Sequence, residues 1–133
     1  MFSGIRAMFC KWTPWESLVL GRLADSLAPQ HRDVLQAQVD AVTKIQRICG
    51  WTEIDLYVMR HGQVSWDGVP SFEDKSEFRL ARARTFVDGA TAETELYCVA
   101  GHFFSIETEV PVKPFAFRPD LRVEIRDVDD RYA

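Results

Sequence analysis

The hydrophobic rhythm of this chain changes at Gly50, and that change constrains the fold more than any motif does. Before it, apolar residues recur at helical spacing; after it, they alternate almost to the C-terminus. The pattern predicts an α+β domain in which an N-terminal helical hairpin (13–50) packs on one face of a five- to six-stranded antiparallel meander sheet (51–133), preceded by an amphipathic segment (1–12). A chain of 133 residues, 47% of them hydrophobic, fits a single domain over 1–133 with a two-layer core.

Thr13-Pro14-Trp15-Glu16 reads as a helix start, with Thr at N-cap, Pro at N1 and Glu at N3 forming a capping box. Trp15, Leu18, Val19, Leu20, Leu23 and Leu27 then fill an apolar arc until Ala28-Pro29. A second helix is expected from Pro29 or Gln30 to Gly50, burying Val34, Leu35, Ala41, Val42, Ile45, Ile48 and Cys49. Gln38 falls inside that stripe, so its amide needs a partner. Ahead of both, Phe2, Ile5, Met8, Phe9 and Trp12 recur at helical spacing and are expected to pack on the protein's own core or on a neighbour.

Six strands are expected at 53–60, 63–67, 77–87, 94–100, 103–110 and 121–128, with hairpin turns at His61-Gly62 and Gly101-His102. Pro111, Pro114 and Pro119 mark a longer excursion before the last strand, which is expected at an edge. Across the first turn, Tyr57 should oppose Trp66 and Met59 should oppose Val64, on the face away from Ile54, Leu56 and Val58. Tyr57, Met59, Val64 and Trp66 are therefore interface candidates, with Tyr97, Val99 and Phe103 as neighbours. Arg82 and Arg84 share one face at i and i+2, a geometry able to clamp a carboxylate or phosphate. Glu93, Glu95, Glu107, Glu109 and Glu124 on neighbouring strands make cross-strand ion pairs the ordinary expectation.

The string Leu56-Tyr57-Val58-Met59-Arg60-His61-Gly62-Gln63 resembles the strand-plus-Arg-His-Gly signature of the histidine phosphatases. The resemblance implies phosphotransfer at His61, a phosphate ligand in Arg60 and a second histidine in His102. Alternation around the motif instead implies a hairpin turn. In a sequential meander that turn and the one at 101–102 would lie at opposite ends of the sheet, about 20 Å apart. The same separation argues against zinc shared by His61 and His102, and His31 has no histidine four residues on. No catalytic residue, metal site or cofactor is expected.

The charge is −4 overall, and residues 51–133 carry 10 basic against 16 acidic groups, a balance that disfavours nucleic acid. Cys10, Cys49 and Cys98 are odd in number and in apolar contexts, so they read as buried thiols of a reducing compartment. No apolar run reaches membrane-spanning length. The chain therefore reads as a non-enzymatic cytoplasmic protein-interaction module that forms a homodimer, with no nucleic acid and no membrane as partners. A sheet curled into a cone that binds a small molecule or anion at Arg82 and Arg84 is the alternative.

Overall fold

The computed structural model describes residues 12–133. The amphipathic segment expected over 1–12 lies, apart from Trp12, outside the described residues. Two helices, α1 (Pro14–Asp25) and α2 (Pro29–Ala41), cover one face of a six-stranded antiparallel sheet. Its strands are β1 (Lys44–Ile48), β2 (Glu53–Tyr57), β5 (Phe78–Val87), β6 (Ala90–Val99), β7 (His102–Thr108) and β8 (Arg122–Arg126). A separate two-stranded ribbon pairs β3 (Met59–Arg60) with β4 (Gln63–Val64). No helix among the described residues is long and apolar enough to cross a membrane.

Helix α1 starts as its sequence dictates. The Thr13 hydroxyl accepts from the Glu16 amide at 3.2 Å, and the Glu16 carboxylate accepts from the Thr13 amide at 3.0 Å. Trp15, Val19, Leu20, Leu23 and Ala24 are buried, and Arg32 closes the other end by donating to the Ala24 and Leu27 carbonyls. Glu16 is itself fully buried. Its two oxygens take a bidentate pair from Arg47, at 2.7 and 2.8 Å, which ties α1 to β1.

Helix α2 ends at Ala41 rather than at Gly50, and residues 44–48 form an edge strand. The helical hairpin is therefore shorter than 13–50 and the sheet begins before residue 51. Val42, Ile45 and Ile48 keep a helical spacing of three, but β-branched residues favour a strand once a partner exists. That partner is β2, where Ile45 opposes Leu56 and Arg47 opposes Ile54. Between them Cys49, Gly50 and Trp51 all have positive φ, at 54°, 66° and 72°. A Cβ on Gly50 would stand 3.3 Å from the Pro111 side chain. Cys49 is exposed in this turn, against the expectation of a buried thiol, because a strand and a tight turn replace the helix that would have buried it. Cys98 is buried as expected, and Cys10 lies outside the described residues.

The sheet order is β1-β2-β7-β6-β5-β8. Strands β5, β6 and β7 form a meander through Asp88-Gly89 and Ala100-Gly101, each turn having two successive positive φ values as a type I′ connection requires. The second turn sits one residue earlier than expected, and β6 starts at Ala90, four residues sooner than 94. The β1–β2 hairpin joins the far side of β7, and β8 returns to the free edge of β5, as the proline-flanked excursion implies. Because β2 neighbours β7, the turns at 61–62 and 100–101 fall at the same end of the sheet, not at opposite ends.

Ile54, Leu56, Leu96, Cys98, Phe103, Ile106 and Val123 meet the helices, beside the small side chains of Ala81 and Ala83. Those alanines leave room for α1, whose Trp15 Nε1 donates to Thr85 Oγ1 on β5 at 2.9 Å. Trp15 and Glu16 are adjacent, yet they bind strands four places apart in the sheet order, a gap of about 19 Å if the sheet were flat. The start of α1 therefore spans the inner face of the sheet from β1 to β5. The Gln38 amide is fully engaged: Nε2 donates to the Pro70 and Gly101 carbonyls, and Oε1 accepts from the Phe103 amide.

Two substitutions check this account in urea. Thr13→Ala should cost about 1 kcal/mol, the usual value of an N-cap side chain. Glu16→Ala should cost more, about 3 kcal/mol, because it also breaks the buried ion pair with Arg47. Equal midpoints for the two variants would show that the carboxylate adds nothing beyond its cap.

Candidate functional site on the outer face of the sheet

The face away from the helices collects the charged half of every strand. Register places Gln46 beside Asp55, Asp55 beside Ser105, Ser105 beside Tyr97, and Tyr97 beside Arg79. The next row runs Ile48, Glu53, Glu107, Glu95, Arg82, Arg126 from β1 to β8. Its last four residues read two acids and then two arginines, with the change of sign between β6 and β5.

Arg82 and Arg84 are held by carboxylates. Arg82 donates to Asp127 at 2.9 Å with Glu95 at 3.9 Å, Arg84 pairs with Glu93, and Arg79 lies 3.3 Å from Glu95. These are the cross-strand pairs that alternating charges favour. Arg126 is exposed, stands opposite Arg82, and makes no side-chain hydrogen bond or ion pair within the described residues.

On β2 and β7 the balance is reversed. Glu53 and Asp55 follow each other on one face, Glu107 lies opposite Glu53, and the Ser105 hydroxyl donates to Glu107 at 3.0 Å. Asp55 is only 6% exposed, and its Oδ1 has no donor. The Glu53 carboxyl is pushed above its ordinary value, first by a hydrogen bond to Asp55, then by the Asp55 charge, and then by burial. Tyr57 feels the same charges, its phenol being raised by burial and then by Asp55 and Glu53.

The four interface candidates are divided among three surroundings. Met59 and Val64 face each other across the β3–β4 ribbon, as expected, with Val64 55% exposed. Tyr57 does not oppose Trp66. It pairs with Lys44 on β1, donates to Gln46 at 3.2 Å, and meets Phe104 edge-on with centroids 5.2 Å apart. Trp66 stacks flat on His102 at 4.3 Å and packs against the core. The His102 imidazole is lowered by burial and then by Lys75. The difference arises because β2 gains two sheet partners and ends at Tyr57, so the hairpin beyond it keeps only a two-residue ladder.

His61 is exposed at the tip of that ribbon with φ 52°, and Arg60 donates to the Asp67 carbonyl. The motif therefore sits in an antiparallel hairpin, without the helix and parallel sheet that accompany it in histidine phosphatases. Among the described residues no group of three or more His, Cys, Asp or Glu side chains is placed to hold a metal ion.

A cavity of about 520 Å³ opens elsewhere, lined by His31, Glu73, Asp74, Arg131 and Tyr132. His31 Nδ1 lies 3.3 Å from the Tyr132 carbonyl, and its ring meets the Tyr132 ring edge-on at 4.9 Å. Asp74 is held down to about 2, first by Ser76 and then by Arg131, whose guanidinium also binds Asp129. Neither Arg82 nor Arg84 lines this space. Sequence reasoning missed the cavity because its walls come from three places in the chain, and only the return of Tyr132 to the core brings them together.

Comparison with protein-family models, with curated proteins and with solved structures finds no match to this chain.

The Glu53–Asp55 pair has a pH signature. A carboxyl raised in the folded state confers stability that is present below its unfolded value and lost as pH climbs through its folded value. Glu53→Gln keeps the donor and removes the charge. The variant should exceed the parent in urea near neutral pH and converge with it in acid; a constant offset at every pH would show that the Glu53 carboxyl is not raised.

Proposed function

We propose that this protein is a non-enzymatic, cytoplasmic protein-interaction module that self-associates through the outer face of its sheet. The observation carrying the reading is the division of that face into an acidic half on β2, β7 and β6 and an arginine half on β5 and β8. An isologous dimer needs a surface complementary to itself, and such a divided face is one. Apolar support is next to it. Tyr57, Phe104 and Tyr97 are half-buried on the same face, continuing toward Met59, Val64 and Trp66. Aromatic residues at a polar-rimmed patch are the usual centres of interface energy.

An anion site at Arg82 and Arg84 draws less support, since an incoming phosphate would have to displace Glu93, Glu95 and Asp127 from guanidiniums they already bind.

Sedimentation at micromolar concentration tests the reading. The parent should run as a dimer that weakens as salt is added. Tyr97→Ala removes a ring outside the helix-facing core and should cost about 2 kcal/mol of dimer affinity while the fold survives. A parent that stays monomeric throughout the accessible range overturns the proposal.

A further inference from the structure

We propose that Glu107 of one copy pairs with Arg126 of a second copy of this chain, across a two-fold axis that runs along the strands between β5 and β6. The inference rests on the self-association reading and adds to it an axis, a register and a named contact.

The row Glu107, Glu95, Arg82, Arg126 occupies four adjacent strands, β7, β6, β5 and β8. Rotation by 180° about an axis parallel to the strands, between the second and third of these, carries the row onto itself in reverse. Glu107 then meets Arg126 of the second copy, and Glu95 meets Arg82. A two-fold lying across the strands instead sets each strand over itself, acid over acid and arginine over arginine, which like-charge repulsion disfavours. The charge order therefore selects one axis.

Two features of the isolated chain point to the same pair. Among the described residues, exposed Glu107 receives only the Ser105 hydroxyl and forms no ion pair. Arg126 is exposed, faces another arginine, and binds no carboxylate within the described residues. Each is left incomplete by the fold that positions it, and the two lie three strands apart, about 14 Å at the backbone.

The geometry allows the contact. Face-packed sheets lie about 10 Å apart, a gap that an arginine and a glutamate reaching from opposite sides can close. Strands β7 and β8 sit about 7 Å from the axis, so the roughly 30° rotation between packed sheets displaces them by about 4 Å, within the reach of an arginine.

Charge exchange tests the pairing. Glu107→Arg and Arg126→Glu each place like charges at both symmetry-related contacts, and each variant alone should dimerise at least about tenfold more weakly than the parent. An equimolar mixture of the two should recover near-parental affinity, because both contacts in the heterodimer are then opposite in sign. Circular dichroism checks that each exposed substitution leaves the fold intact, and the double variant provides the same restoration within one chain. Weakened single variants that neither the mixture nor the double variant rescues would overturn the pairing in favour of general repulsion. Single variants that dimerise like the parent would overturn it while leaving self-association standing. A parent that never dimerises would overturn both.

Discussion

One buried carboxylate joins the two layers. Glu16 closes the first turn of its own helix and at the same time binds the guanidinium of Arg47 on the edge strand β1. Its neighbour Trp15 donates to Thr85 on β5, so two consecutive residues hold opposite parts of the sheet. Burying a charge is costly unless every lone pair is served, and here the amide of Thr13 and two guanidinium nitrogens serve it. The fastening of the start of α1 to both β1 and β5 depends on those two short links.

Much of this was legible in the chain. The capping box, the proline-led second helix, the small face of Ala81 and Ala83, the His61-Gly62 turn and the edge position of β8 each follow from local chemistry and appear as expected. The α2–β1 boundary was not legible. Val42, Ile45 and Ile48 keep a helical spacing of three and fall on alternate faces of a strand, so only the pairing of Ile45 with Leu56 reveals β1. That pairing is a tertiary fact with no local signature.

The candidate site was legible only as an inventory of charges. Leu80 in β5 and Phe104 in β7 are each an extra residue in their ladder. Without them, counting by twos would place Arg79 and Ser105 on the wrong faces relative to their partners. The row joining Glu107 to Arg126 depends on the extra residue in β7, which brings Glu107 rather than Ile106 opposite Glu95, and no periodicity shows where it falls. Trp66 illustrates the converse: its ring was expected on an open face, but β2 turns aside at Val58 and leaves it against His102.

The segment between β4 and β5, residues 65–77, contains neither helix nor strand, yet it is fastened to both layers. Phe72 is buried, its amide donates to the Gly101 carbonyl, and the Gln38 side chain on α2 binds Pro70 and the same Gly101 carbonyl. A Cβ on Gly101 would stand 2.9 Å from the Phe72 carbonyl oxygen, so only glycine permits the approach. An irregular segment ordinarily opens on its own at little free-energy cost. This one can lift only by breaking contacts of the second helix and of the β6–β7 turn together. In hydrogen exchange it would behave as part of the protein's last unit to open, a slow-exchanging stretch where irregular backbone usually exchanges fast.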